Sequence, residues 1–421
     1  MVEMDKVIII GAGPAGVSAA LRLRKTNHIT PVIYELREEP MTLLGGAIGI
    51  PSNGLRLLSR LGLYDAMASR GAQTPSVILH STKGSIVGEM DMIGWSEKHT
   101  GFGYLRIKRT DVMEVLLEAA EKDNISISYG KRLERIEEND NGVTVFFSDG
   151  TIDTGDFLLG CDGVHSAVRT KYVDPSCVPE YSGISNIGSL VSTSMLPPPA
   201  SKLENMNATL TEDGLLMLIP ATAAHDSIYW FFSREVPLPD QGDTRDGWEE
   251  RGKKEVDGMK STLIGLLGDS HNEWVDMLKE VVSKTEVVKF YPNFKLPVGG
   301  RWSRGRVLII GDAAHAMPPH ASQGFSMALE DVFLFSNLLH SKNLTLDSAI
   351  SIYETRRRRR IEEMLKTAET RGSVRKKTSP RRLRFNEFML AGGLMIYNTF
   401  GLKNLGLGQK LLAYDIEEEK F

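Results

Sequence analysis

Arg306-Val307-Leu308-Ile309-Ile310-Gly311-Asp312-Ala313-Ala314-His315-Ala316-Met317-Pro318-Pro319 is the stretch whose reading decides the fold. A short, continuous apolar run that stops at glycine reads as a strand buried on both faces. The proline pair then fixes a rigid loop. Gln323 and Gly324 open a long helix in which Ala328, Leu329, Val332, Phe333 and Leu339 form an apolar stripe. The same order stands at the other end of the chain. Val7-Ile8-Ile9-Ile10 leads into Gly11-Ala12-Gly13-Pro14-Ala15-Gly16, and the pattern predicts a helix over 14–25. Two glycine clusters, each after a strand and before a helix, predict that distant segments meet around one ligand.

The N-terminal cluster has the spacing of a dinucleotide turn. Its glycines serve a tight turn, close backbone approach to a pyrophosphate, and close helix–strand packing. The helix N-terminus offers unpaired N–H groups to phosphate. A second strand over 31–34 ends at Glu35, suited to a ribose hydroxyl, and Arg37 follows toward the adenosine end. This turn alone does not separate FAD from NAD.

Thr110 is the expected N-cap of a helix to Lys122, with Val112, Val115, Leu116, Ala119 and Ala120 at helical spacing. Ile125, Ile127 and Tyr129 alternate as in a strand, and Asn141-Gly142 and Asp149-Gly150 read as hairpin turns. A strand over 157–159 then enters Gly160-Cys161-Asp162-Gly163-Val164-His165-Ser166-Ala167-Val168-Arg169. This is either a third loop on the cofactor side or a plain turn with a solvated arginine. Residues 185–295 change character. Proline-bearing pieces at 196–199 and 237–242 separate strand-like runs at 215–219 and 228–232, as in an antiparallel platform for a substrate. Residues 76–106 are expected to add strands to it.

With 421 residues the chain has room for two domains. A net charge of −4 gives no electrostatic footprint for nucleic acid. Cys161 and Cys177 are the only cysteines, which fits a reducing, cytoplasmic setting and argues against a disulfide framework. The N-terminus lacks the pattern of a secretory signal. No run reaches the roughly 20 apolar residues of a membrane span; residues 388–400 are interrupted by Gly392, Gly393 and Asn398. His315 and His320 have no acidic or cysteine neighbour at ligand spacing, so no metal is expected and a structural role is. The arginine run at 356–360 reads as a solvated helix face neutralised by Glu362 and Glu363, and residues 371–384 as a basic linker. The apolar tail over 385–414 is expected to pack on the body.

Taken in order, Gly11–Gly16, Asp162-Gly163 and Gly311-Asp312 resemble the single-component (class A) FAD-dependent monooxygenases, the family of salicylate hydroxylase and para-hydroxybenzoate hydroxylase. Gly45-Gly46-Ala47-Ile48-Gly49-Ile50 with Asn53, Leu57 and Leu61-Gly62-Leu63 is similar to the salicylate hydroxylase branch. The resemblance covers residues 5 to 375. It implies an α/β fold: a Rossmann-like FAD-binding domain of the glutathione reductase type, with an inserted, mostly antiparallel substrate sheet and C-terminal helices. The FAD-binding domain would be discontinuous over 1–75, 107–184 and 296–375. The substrate domain would take 76–106 and 185–295, and the tail 376–421.

The resemblance also implies roles at matching positions. Gly11, Gly13, Ala15, Gly16, Glu35 and Arg37 would hold the adenosine pyrophosphate end of FAD. Gly46 and Arg109 would lie beside the flavin, with Arg109 on its side chain. Asp162 and Gly163 would serve both FAD and NAD(P)H, and Asp312 the ribityl or pyrophosphate region. Pro318, Pro319, Gln323 and Gly324 would border the isoalloxazine ring. The chain departs from the family in having Ser322 where glycine is usual, and Phe325-Ser326 where an asparagine often stands.

The implied reaction uses FAD, NAD(P)H and O2 to hydroxylate or epoxidise a small aromatic or polycyclic substrate through a flavin hydroperoxide, in a pocket kept dry. A phenolic substrate needs its proton accepted or its oxygen polarised. His225, Tyr229 and Arg106 are candidates, with Tyr104 and His99 nearby in sequence, and the pattern does not choose among them. A homodimer is left open. The rivals are a flavin halogenase, a prenyl-chain reductase, or a non-enzymatic prenyl-binding escort protein. The Trp-x-Trp-x-Ile-Pro motif of halogenases is missing from the sequence, and an escort protein has no use for all three blocks together.

Overall fold

The computed structural model describes residues 4–40, 46–197, 202–240, 245–268, 272–341 and 343–419. Gly45, Pro198, Pro199, Gln241 and Gly242 lie outside the described residues.

The first sheet has six strands in the order Ser303–Arg304, Val307–Ile309, Phe157–Gly160, Lys6–Ile10, Thr30–Tyr34, Ser126–Ser128. All pairs are parallel except the edge strand Ser303–Arg304. Val7, Ile8 and Ile9 are fully buried because helices cover both faces. Three adjacent strands therefore deliver their following loops to one edge of the sheet. Gly11 follows Lys6–Ile10, Asp162 follows Phe157–Gly160, and Gly311 follows Val307–Ile309. Topology thus brings together segments some 300 positions apart in the chain.

A second sheet has seven strands: Lys289–Lys295, Glu180–Ser192, Ser227–Glu235, Gly214–Pro220, Met206–Leu210, Ser76–Ser81, Ile86–Asp91. Its pairs are antiparallel except Met206–Leu210 with Ser76–Ser81. Strand alternation splits the aromatic run at 229–232. Trp230 and Phe232 face a core made with helices Arg245–Leu267 and Glu273–Lys284, while Tyr229 and Phe231 face the opposite side. These two helices were not legible in the insertion. Arg106 and Tyr104 do not come from this sheet. Strand Leu105–Lys108 pairs with Ala47–Ile50 and Ala72–Gln73 in a small sheet of its own. His99 lies on helix Gly94–Thr100, stacked on Trp95. Strands Leu133–Asn139, Gly142–Phe147 and Ile152–Gly155 form the expected hairpins.

Several local expectations need correction. The first helix runs Pro14–Arg22 and is finished by a wider π-type turn, Leu23–Asn27. The helix expected to start at Thr110 spans Arg109–Lys122, so Thr110 sits in its first turn and is not its cap. Helix Gly324–His340 has no single apolar stripe. Glu330, Asp331 and Ser336 are as buried as its leucines, so it is a central helix with a polar side turned inward. The arginine run is likewise not a solvated face. Helix Leu346–Gly372 buries Arg357 and Arg360, and leaves Arg359 outside near Glu363. Residues 371–384 are not a linker: they finish that helix, pass through Ser373–Arg375, and begin helix Pro380–Thr399.

Helix Pro380–Thr399 seats Leu390 and Leu394 against the strand face containing Gly88, while Phe385, Phe388, Met389, Met395 and Ile396 are exposed. The tail thus packs on the body by one side only. Among the described residues, no helix is long and apolar enough to cross a membrane.

The interior of the first core depends on a buried ionic network. Arg357 donates from Nε to Asp331 Oδ1 (2.6 Å) and from Nη1 to Glu330 Oε2 (2.6 Å). Arg360 Nη2 donates to Glu330 Oε1 (3.1 Å). Burial alone would raise the Asp331 carboxyl; His315 and Arg357 more than offset this and hold it at about 2. Replacing Arg357 by Met should leave Asp331 Oδ1 unpaired and halve the cationic support of Glu330, at a cost of about 3–5 kcal/mol. Urea unfolding checks this: a loss under about 1 kcal/mol would show the network to be dispensable.

Candidate functional site

The three loops at the sheet edge touch one another. A Cβ built at Gly11 (φ +106) would lie 2.5 Å from the Cys161 carbonyl oxygen and 3.0 Å from Asp162 Cα, and one at Gly16 would overlap the Gly11 carbonyl. One at Gly311 (φ +59) would lie 3.5 Å from the Ala15 Cβ. Only glycine permits the approaches at Gly11 and Gly16, whereas at Gly311 it is the positive φ that favours glycine. Gly13 is different: nothing of the protein lies within 4 Å of its Cβ position. Gly11 and Gly16 therefore weld the turn to its neighbours, while Gly13 opens onto a crevice.

Carboxylates line that crevice. Glu35 accepts hydrogen bonds from the Ala12 N–H (2.7 Å) and the Arg37 N–H (3.0 Å), so it braces the turn from the end of the second strand. The Arg37 side chain is exposed. Asp162 Oδ2 accepts from the N–H groups of Ala167 (2.7 Å) and Val168 (3.1 Å), while its Oδ1 is buried with no partner. Burial pushes its carboxyl up, against the pull of these bonds. Asp312 has accessible surface, yet burial pushes its carboxyl up too, with His315 and Arg109 drawing it back. A group at the floor of a deep, open crevice satisfies both observations. The charge of Arg109 is also felt by Tyr229 and Tyr291 on the second sheet. Gly46 lies directly against Tyr229: a Cβ there would meet the ring at 2.6 Å.

The loop after Gly311 is held from behind. Asp331 Oδ2 accepts from the Gly311 N–H (2.8 Å) and pairs with His315 Nε2 (2.6 Å), so His315 is structural, as expected. Pro318 is buried, and Ser322 takes φ +53, ψ +35. That left-handed conformation explains why glycine is usual at this position; the serine keeps the turn at a cost of about 1–2 kcal/mol. Gln323 is paired through its side chain with Asn53 (3.0 and 3.3 Å), so the side chain shapes the protein and its backbone opens helix Gly324–His340 beside Asp312. Arg169 is not a solvated arginine. It is fully buried and bonds the carbonyls of Val164, Cys177 and Ala313, tying the second block to the third.

The structure does not gather the proposed catalytic residues into one cluster. His225 sits in the turn before strand Ser227–Glu235, its ring bonded to the Leu203 carbonyl (2.9 Å). Tyr229 is buried at the crevice wall, near Arg109 and Arg106. Arg106 is buried on the small sheet and donates to the Tyr104 hydroxyl (3.0 Å). Sequence reasoning missed Asn53, Glu330, Asp331 and Arg357 as the support of the site. Their one signal, a pair of acids inside an otherwise apolar helix, is visible at 330–331. Among the described residues, no group of three His, Cys, Asp or Glu side chains comes together to hold a metal.

An open glycine turn, an unpartnered buried carboxylate oxygen and an acid at the crevice floor suit a long ligand with a pyrophosphate and several hydroxyls, and FAD is such a ligand. Comparison with known proteins agrees. The FAD binding domain family matches residues 4–256 and 293–368. The 6-hydroxynicotinate 3-monooxygenase of Pseudomonas fluorescens is 28% identical over 90% of this chain and 94% of its own. The FAD-dependent urate hydroxylase of Klebsiella pneumoniae subsp. pneumoniae is 27% identical over 88% and 90%. The crystal structure of Klebsiella pneumoniae HpxO with FAD and uric acid superposes with a TM-score of 0.79 at 24% identity, covering 97% of each chain. The chain belongs to the FAD binding domain family, within its FAD-dependent aromatic monooxygenases.

Proposed function

We propose that this chain hydroxylates a small, electron-rich aromatic compound with FAD, NAD(P)H and O2; two of its relatives are named as a 6-hydroxynicotinate 3-monooxygenase and an FAD-dependent urate hydroxylase. The observation that carries the reading is the mutual contact of the three loops, Gly11 on Cys161-Asp162 and Gly311 on Ala15. Residues 1–75, 107–184 and 296–375 form the FAD-binding part, and 76–106 with 185–295 the substrate part, except that strand Leu105–Lys108 goes whole with the first. Separate apolar cores on the two sheets support the division. Both cysteines are free, which supports a reducing cytoplasm.

The chemistry that FAD supplies when bound is reduction by NAD(P)H and transfer of one oxygen atom of O2 to an electron-rich carbon. The residues of this chain bind, orient and shield. Gly11, Gly13, Ala15 and Gly16, with the start of helix Pro14–Arg22, hold the pyrophosphate; Glu35 takes the ribose and Arg37 the adenosine end. Asp312 accepts from ribityl hydroxyls, Gly46 and Arg109 flank the flavin side chain, and Asp162-Gly163 close the crevice. Pro318, Gln323 and Gly324 border the ring, and the first N–H groups of helix Gly324–His340 favour negative charge there. Met217, Ile219 and Phe231 form a dry wall on the second sheet. Tyr229 and Arg106 are the groups positioned to polarise a substrate hydroxyl.

A homodimer completes the proposal. The exposed apolar residues Phe385, Phe388, Met389, Met395 and Ile396 of helix Pro380–Thr399 recur at separations of three, four and seven, and Phe388 is 74% exposed. An antiparallel copy covers such a stripe while keeping the Arg381, Arg382 and Arg384 groups of the two chains apart.

Three measurements test this reading. Gly13→Val should fold, since its side chain meets no protein atom, yet lose bound flavin; Gly16→Ala should fail to fold. Circular dichroism and the visible spectrum separate the two, and a yellow Gly13→Val protein would refute the cradle. In an oxygen electrode, an accepted aromatic should stimulate NAD(P)H oxidation and yield oxygenated product; stimulated oxidation without such product would overturn the hydroxylase reading. Phe388→Asp should halve the mass seen by sedimentation, whereas a monomeric native protein would rule the dimer out.

A further inference from the structure

Helix Ser52–Leu61 follows strand Ala47–Ile50, and its first turn lies against the opening of helix Gly324–His340. Asn53 pairs with Gln323, and a Cβ built at Gly54 would overlap the Ser326 hydroxyl. The start of helix Ser52–Leu61 has no side-chain cap of its own, although Ser52 and Asn53 are buried. That turn therefore takes its position from what it touches.

Residues 409–419 reach it by three routes. Asp415 accepts from Arg60 with both oxygens (2.6 Å each) and pairs with Arg56 (2.8 Å). Asn53, Arg56 and Arg60 follow at steps of three and four, on one face of the helix. Glu417 pairs with Arg60 (3.0 Å) and with Arg22 at the end of the first helix (2.9 Å). Among the described residues, every ion pair of Arg22, Arg56 and Arg60 goes to Asp415 or Glu417. Burial alone would raise the Asp415 carboxyl; Arg60, the Glu417 N–H and Arg56 hold it at about 2. The second route runs through Glu330. Arg360 donates to the Leu411 carbonyl (2.8 Å), lies over the Tyr414 ring (4.2 Å) and holds Glu330, which accepts from Asn53 Nδ2 (2.8 Å). The third begins at Gln409, whose side-chain oxygen accepts from the N–H groups of Trp95 (2.9 Å) and Ser96 (3.0 Å). The Ser52 hydroxyl in turn donates to that of Ser96 (3.0 Å).

All three routes converge on Ser52 and Asn53. The helix is a stiff rod about 15 Å long, so what holds Arg56 and Arg60 also fixes Asn53. Two-pronged pairing of a guanidinium with a buried carboxylate is directional as well as strong, which suits it to setting a position. The FAD binding domain match ends at residue 368, so this segment lies outside the matched domain. We propose that residues 409–419 are a clasp that positions Asn53, and with it Gln323 and the opening of helix Gly324–His340, through Asp415 and Gln409. Asp415 is a positioning residue, acting through helix Ser52–Leu61. That the opening borders the flavin ring rests on the monooxygenase reading; the clasp itself does not.

Asp415→Asn keeps the size of the side chain and removes its charge. Hydrogen exchange of the purified protein as isolated, read by mass spectrometry, should quicken at least about fivefold over 50–55 and 322–327 and stay unchanged over 206–210 in the second sheet. Asp415→Glu should restore slow exchange. Gln409→Ala should reproduce the rise, and it carries the test should Asp415→Asn fail to fold. Thr345→Ala, which removes the cap of helix Leu346–Gly372 on the same body, should not. No rise in either clasp variant, a rise spread over the whole chain, or the same local rise in Thr345→Ala would overturn the clasp. In the FAD-loaded protein, Asp415→Asn should keep the FAD affinity within about twofold, since Gly11 and Gly16 hold the pyrophosphate turn. It should nevertheless shift the visible circular dichroism of the flavin, and Asp415→Glu should bring the signal back. A shifted signal without locally faster exchange would overturn the clasp. Locally faster exchange with an unshifted signal would remove Gln323 from the ring border and leave the clasp standing. The same exchange pattern in a protein that takes up no FAD would sink the flavoprotein reading alone.

Discussion

The Asp331 carboxylate is the constraint on which the site depends. One oxygen takes the Gly311 N–H and His315, and the other takes Arg357 from the next helix. Gly311 has a backbone conformation that only glycine adopts comfortably, and its loop carries Asp312 and the diproline turn. A loop of that shape, at the edge of a sheet and beside a crevice, has little packing of its own to hold it. The buried carboxylate supplies what packing cannot. It also explains why Arg357 lies within an arginine run yet is wholly buried. Burying so many charges is tolerable because the set closes on itself: Glu330 meets Arg357, Arg360 and Asn53, and Asn53 in turn holds Gln323.

Arg169 performs the same service for the neighbouring loop without any carboxylate. Its fork is filled by three carbonyls, one of them from Ala313. The third block is thus fixed from two sides, by Asp331 through Gly311 and by Arg169 through Ala313. Both supports are charged groups meeting backbone dipoles, and both are preorganised by the protein before any ligand arrives.

The parallel sheet was legible because its strands are continuous apolar runs that stop at glycine, and that pattern has few other readings. The glycine turn, Glu35 and Asp312 were legible for the same reason: their chemistry is local. What escaped was non-local. Helix Arg245–Leu267 carries so many charges that its apolar side, with Met259 and Leu263 among the buried residues, does not stand out in sequence. Arg357, Arg371 and Arg375 look like solvated cations because nothing in sequence distance reveals what they meet in the fold. Arg106 was expected with the substrate strands because it follows them in the chain, but pairing with Ala47–Ile50 draws it into another sheet.

That displacement matters for how the two halves are coordinated. Strand Leu105–Lys108 carries Arg106, and Arg109 begins the next helix. Arg106 meets Tyr104 and Met206 on the side of the second sheet; Arg109 acts on Asp312 in the crevice. Three residues of extended chain span about 10 Å. The spacing between Arg106 and Arg109 is therefore set by covalent geometry, and does not depend on how the two sheets settle against each other. The small sheet reinforces this, since the same strand pairs with Ala47–Ile50, whose preceding residue, Gly46, lies on the Tyr229 ring.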